Sequence, residues 1–198
     1  MLSIILLSLK HNQKKFPLMK NLLLLALLSF CLLSCNRDRD KNVNPNVLPD
    51  ATQSGANTAG ALVDGKIWVA TTKKINTVGG QGTYCEKYNG YTHIQIDLRN
   101  VSDNSRIYFE TDILNMELNK MYYLTENTNS GDTNFALFSD NNFKAYYTQP
   151  NSVYIGSFKL TRLDLQNQIV SGTFEFKAVD TDGNTVNITE GRFDKRFD

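Results

Sequence analysis

Three cysteines, two histidines, four prolines and one tryptophan are all that the 198-residue chain carries of those types, and each shortage closes a route. Of the histidines only His93 follows the apolar leader that ends near residue 34, so a metal site built on several imidazoles, or a triad drawing on another histidine, is excluded. Cys31 lies within that leader and Cys35 directly after it, which leaves Cys85 as the one thiol further along the chain. One thiol makes no internal disulfide framework, so the core must hold the domain together. A basic excess is missing too. The chain holds 21 Lys+Arg, of which Lys10, Lys14, Lys15 and Lys20 precede Cys35, against 20 Asp+Glu that all follow it. The resulting balance of about −3 is not that of a nucleic-acid-binding protein.

What is present first is a leader. Met19-Lys20-Asn21 and then a leucine-rich run to Leu33 form a short cationic region followed by about a dozen apolar residues, the proportions of a secretory signal. A spanning helix would need roughly twenty. An upstream apolar stretch, Leu2 to Leu9, precedes a second methionine, and translation is expected to start at Met19 rather than Met1. Leu32-Leu33-Ser34-Cys35 resembles the lipobox of bacterial lipoproteins, with a small residue before the cysteine and an aliphatic one three places ahead. The resemblance implies cleavage between Ser34 and Cys35 and a diacylglyceryl group on Cys35. Each buried methylene contributes about 0.8 kcal/mol, so two or three acyl chains hold a protein on a membrane where one does not. The expected location is the cell envelope, anchored by lipid to the outer membrane, facing either the periplasm or the surface.

After Cys35 the composition changes. Residues 35–60 are rich in Asn, Asp, Pro, Thr, Gly and Ala and poor in large apolar side chains, so the segment cannot offset its own ordering entropy. It reads as a polar tether, which as a flexible coil of about 25 residues would reach roughly 25 to 30 Å. The 164 residues from Cys35 onward are of single-domain size.

From residue 61 the segments are short and period-two. Asp64-Gly65 and Asn89-Gly90 each sit between apolar-alternating runs, a strong hairpin signal. Thr92, Ile94, Ile96 and Leu98 alternate with Tyr91, His93, Gln95 and Asp97, giving one apolar and one wet face. Ile107, Phe109 and Thr111 likewise oppose Tyr108, Glu110 and Asp112. Further runs are Met121 to Leu124, Phe135 to Phe138, Phe143 to Thr148, Val153 to Leu163, Ile169 to Val179 and Thr185 to Thr189. In the run from Ile169, Val170, Phe174, Phe176 and Ala178 face one way and Ser171, Thr173, Glu175 and Lys177 the other. Asp112 to Lys120 is the only stretch compatible with a helical turn or two. About ten strands with regular turn signals predict an all-β fold over residues 61–198, an antiparallel β-sandwich or a closed β-barrel.

Two blocks resemble a family of uncharacterised Bacteroidota lipoproteins that carry a domain of unknown function. They are Leu48 to Trp68 at the start of the domain and Gly172 to Asp194, similar to that family's closing hairpin. The resemblance implies no activity. It does imply that Leu48 to Gly60 packs against the domain, and it agrees with a lipid anchor.

Candidate chemistry is sparse. His93 lies on the wet face of its strand, where a solvated histidine is the ordinary reading. Gly79-Gly80-Gln81-Gly82 is not followed by Lys-Ser/Thr and reads as a loop rather than a phosphate cradle. Asp180-Thr181-Asp182-Gly183-Asn184 lacks the third ligand and the later bidentate glutamate of a calcium loop, and reads as a turn. No metal or cofactor is implied. Glu110, Asp112, Glu175 and Glu190 could meet across strands as an acid/base pair, but their spacing singles out no two. Lys and Asp spread along the candidate strands leave no lipid-facing band, which argues against an integral membrane barrel. The tyrosines stand out more. Tyr84, Tyr88 and Tyr91 surround the Asn89-Gly90 turn, and Tyr146, Tyr147 and Tyr154 lie near another loop-rich end. Aromatics at loop ends form sugar or peptide platforms, or cap a core. The expected function is a monomeric, non-enzymatic binding or accessory module with an unknown ligand. The alternatives are an assembly partner of another envelope protein and a hydrolase with a carboxylate site.

Overall fold

A computed structural model describes residues 44–71, 82–127, 133–149 and 155–197. The two dipeptide turns set its first hairpins. β1 (Thr58–Val63) and β2 (Lys66–Val69) are joined by Asp64-Gly65, and β3 (Tyr84–Tyr88) and β4 (Tyr91–Asn100) by Asn89-Gly90. Both central residues have positive φ in each turn, +48° and +76° in the first and +48° and +83° in the second. That is the two-residue hairpin geometry whose twist matches the strands it joins.

Eight further strands follow: β5 (Ser105–Leu114), β6 (Tyr122–Leu124), the two-residue β7 (Glu126–Asn127), β8 (Thr133–Ser139), β9 (Ala145–Tyr147), β10 (Gly156–Asp164), β11 (Ile169–Val179) and β12 (Thr185–Arg196). The fold is all-β and antiparallel, as expected, and its hydrogen-bonded path is open, running β2-β1-β12-β11-β9-β8-β5-β4-β3. β10 pairs with β11 and, on its other side, with β6. The chain then continues into β7, which pairs with β8, so the β6–β7 run leaves one partner and takes another. The sheet curls until its far parts meet. Thr71 N–H donates to the Arg99 carbonyl at 2.9 Å, Val101 N–H donates to Thr71 Oγ1 at 2.9 Å, and Trp68 Nε1 donates to Ser105 Oγ at 2.6 Å.

The concave side is filled with apolar side chains. Ile94, Ile96 and Leu98 of β4 and Ile107 and Phe109 of β5 are buried, as their alternation predicts, against Phe158, Val170, Phe174, Ile188 and Phe193. The Phe109 ring stands 5.5 to 5.8 Å from the rings of Phe158, Phe174 and Phe193, distances at which aromatic pairs attract beyond their burial. Gly172 permits this closeness. A Cβ there would lie 2.5 Å from the Lys159 carbonyl and 2.9 Å from the Phe193 ring.

Several expectations need correction. Asp112 to Lys120 forms no helical turn; β5 runs on to Leu114 because Asp112 pairs with His93, and Asn115 and Asn119 then bend the chain at φ +50° and +62°. Phe143 is in a turn rather than a strand, at φ +63° and exposed, because the Asp140 carboxylate accepts from the N–H groups of both Asn142 and Lys144. β10 begins at Gly156; Val153 and Tyr154 lie outside the described residues. Asp97, expected on the wet face, is buried, covered by Arg99 and Arg106 at 3.2 and 2.8 Å. The Arg106 guanidinium in turn lies 4.5 Å over the Tyr108 ring. β1 starts at Thr58, ahead of the expected boundary at 61.

The segment before β1 packs on the domain. Asp194 of β12, 1% exposed, accepts through Oδ2 from Thr52 Oγ1, Ser54 N–H and Ala56 N–H at 2.6, 2.9 and 3.1 Å. Its Oδ1 accepts from Gly55 N–H and from Ser171 Oγ, both at 2.8 Å. Ser171, expected on a wet face, is buried because this segment covers it.

Candidate functional site

The three tyrosines around Asn89-Gly90 meet on one face, and strand pairing explains why. The tight turn sets Tyr88 opposite Tyr91, Glu86 opposite His93 and Tyr84 opposite Gln95. β5 adds Leu114, Asp112 and Glu110 to the same three rows. Residues two apart share a face, so all nine side chains project outward, away from the filled core.

Within this face Tyr88 and Tyr91 stack at 5.9 Å and 20°, and Tyr84 tilts against His93 at 5.8 Å and 59°. Tyr88 Oη donates to Asp112 Oδ1 at 2.9 Å, and Tyr84 Oη donates to Glu86. These hydrogen bonds to carboxylates, reinforced by partial desolvation, raise both phenols above the ordinary value of 10. His93 Nδ1 lies 3.0 Å from the same Asp112 oxygen, with Nε2 3.9 Å from Glu110. Gln95 turns its amide toward the Gly82 carbonyl at 3.4 Å. A hollow of about 490 Å³ wraps the turn, lined by Lys87, Tyr88, Asn89, Gly90, Tyr91, Thr92, Asn115 and Met116. Tyr84 and Tyr88 remain 40% and 43% exposed, so the platform is open to solvent.

The remaining candidates are dispersed. Ser34 and Cys35 lie outside the described residues, as do Gly79 to Gln81. Tyr146 packs against the core, whereas Tyr147 is exposed. Cys85 projects into the core from β3 and is buried; desolvation pushes its thiol up, which makes it a poor nucleophile. The four carboxylates proposed for acid/base work do not converge. Glu110 and Asp112 flank His93, while Glu175 and Glu190 line a second hollow of about 260 Å³ that also holds Lys159 and Arg192. Glu190 is paired there with Arg192 at 3.2 Å.

Asp180 and Asp182 both bind Lys144 Nζ, at 2.6 and 2.9 Å, so the position between the two carboxylates is filled by the chain's own ammonium. Burial of Asp180 would raise its carboxyl pKa, but Lys144 and the Asn184 side chain and N–H outweigh burial and hold it well below the carboxylate range. Those carboxylates raise Lys144 in turn.

The Asp194 cradle was not anticipated from the sequence. Its signal is Thr52-Gln53-Ser54-Gly55-Ala56, short side chains and a glycine, at φ +70°, that let successive N–H groups converge on one carboxylate.

Neither the curated proteins nor the solved structures yield a match to this chain. A family profile described as a domain of unknown function, DUF6252, matches residues 57–195. The match begins one residue before β1 and ends one residue before the end of β12, so it takes in every described strand but for the final Arg196, and includes Asp194 but not the segment that cradles it. By that match the chain belongs to the DUF6252 family.

Proposed function

We propose that the protein is a lipid-anchored lipoprotein of the cell envelope, held on the outer membrane, whose β-domain is a non-enzymatic binding module. The observation that carries the binding role is the exposed Tyr84-Tyr88-Tyr91 platform beside an interior already filled by its own rings. A core filled on the concave side of an open sheet argues against a ligand held in a lumen, and leaves the outer face as the place for recognition. Support for the anchor comes from the leucine-rich leader, Ser34-Cys35 and the polar segment after it.

The anchor is tested by substitution. Cys35→Ala is expected to abolish metabolic labelling with palmitate and to leave the precursor uncleaved before residue 35. Labelling that persists in the variant would overturn the assignment. Mass analysis of a trapped precursor checks the start of translation; residues upstream of Met19 would refute a start there.

A further inference from the structure

The outward face of β3, β4 and β5 is acidic at its turn end, and further along the same face Arg99 and Arg106 are both turned onto Asp97. Among the nine positions Glu86, Glu110 and Asp112 are acidic, and none is lysine or arginine. The hydrogen-bond donors of the face are turned inward upon it. Tyr84 and Tyr88 give their hydroxyl protons to Glu86 and Asp112, His93 faces Asp112, and Gln95 faces Gly82. The tyrosine rings remain accessible, Tyr84 and Tyr88 at 40% and 43% exposure, and those of Tyr88 and Tyr91 lie near-parallel at 5.9 Å. Carboxylates and aromatic faces together attract a cation and offer little to a ligand that needs donors. Lys87, the nearest cation in β3, projects from the strand's opposite side, as its place between Glu86 and Tyr88 requires.

We propose that this face docks a cationic peptide, a partner segment whose lysine or arginine side chains lie over Tyr88 and Tyr91 and pair with Glu86 and Glu110. The proposal rests on the reading of the domain as a binding module and names the ligand class for that site. Charge complementarity selects the occupant. A neutral sugar would use the same stacked rings but would gain nothing from the negative charge of the face, and an acidic partner would meet like charge.

The test is calorimetric titration of the full chain, in detergent, with tetralysine amide, with its fully acetylated and therefore uncharged counterpart, and with maltotetraose. Tetralysine is expected to bind, more weakly as salt rises, while the acetylated peptide and the sugar do not. Tyr88→Ala is expected to weaken tetralysine by about two- to five-fold, and Glu86→Gln with Glu110→Gln to remove most of the salt dependence. Equal binding of the charged and acetylated peptides overturns the proposal, as does tetralysine binding that none of these substitutions changes. Maltotetraose binding lost in Tyr88→Ala but kept in the glutamine variant would overturn the cationic class and leave the binding module standing. Failure of every probe to bind overturns both. The charged and acetylated pair is read on the unaltered chain, so the comparison does not depend on any variant folding.

Discussion

Phe109→Ala is expected to lower folding stability by about 3 to 5 kcal/mol. Phe109 is fully buried and touches rings contributed by β10, β11 and β12, so its removal opens a cavity where three strands converge. Those neighbours cannot all collapse into the space, because β5 is tied on both sides, to β4 and to β8. Domains of this size are stable by only about 5 to 15 kcal/mol, and the variant should therefore unfold at a much lower denaturant concentration. Phe109→Leu keeps much of the volume and should cost clearly less. Equilibrium urea unfolding followed by circular dichroism measures both. A loss below about 1 kcal/mol for the alanine variant would contradict a filled interior.

Asp194→Asn should cost about 3 kcal/mol, the scale expected when hydrogen bonds to a buried charged acceptor are broken and donors are left facing a donor. Either orientation of the amide would turn its NH2 toward an N–H or hydroxyl of residues 52–56 or 171, since both carboxylate oxygens accept from them. The pH dependence gives this prediction a second reading. Burial would raise the Asp194 pKa, but the hydrogen bonds from Thr52, Ala56, Ser171 and Gly55 more than offset it and hold the carboxyl at about 2, below its ordinary 3.8. A carboxyl lowered on folding contributes stability that is complete above its unfolded pKa and is lost as pH falls through its folded one. The difference between the native chain and Asp194→Asn should thus be constant above about pH 4 and shrink between about pH 4 and pH 2. A difference that stays level down to pH 2 would show that the Asp194 charge is not what the cradle holds.

The turns were legible because their chemistry is local. Asp64-Gly65 and Asn89-Gly90 accept positive φ with little strain, and once a two-residue loop is fixed the pairing of Tyr88 with Tyr91 follows without further information. The tyrosines of the candidate site could be placed on that basis. The carboxylates beside them could not, because Asp112 reaches His93 only through the register of β5 on β4, and a slip of one residue would have sent it inward. β12 was obscured by a bulge. Two steps along β11, Phe174 to Phe176, face three along β12, Gly191 to Ile188, with Glu190 at φ +51°. Strict alternation from Val186 and Ile188 would turn Asp194 inward and Phe193 outward. The extra residue reverses both, so that Phe193 joins the core and Asp194 meets the segment before β1. Asp97 was misplaced for another reason. Alternation assigns a face, but arginines from its own strand and the next one decide whether that face is wet.

The place of β12 in the sheet sets an order of events. It lies between β1 and β11, so the strand that opens the domain pairs with the strand that closes it, Thr58 against Asp194. A ribosome delivers β1 and β2 long before β12, the strand that pairs with β1, exists. Until Thr185–Arg196 emerges the first hairpin can meet only the end of β4 and β5, through Trp68 and Thr71, and the pairing of β1 with a strand so distant in sequence forms slowly. Loss of a few residues from the C-terminal end would then act on the opposite end of the chain as well, releasing β1, β2 and the Asp194 cradle together.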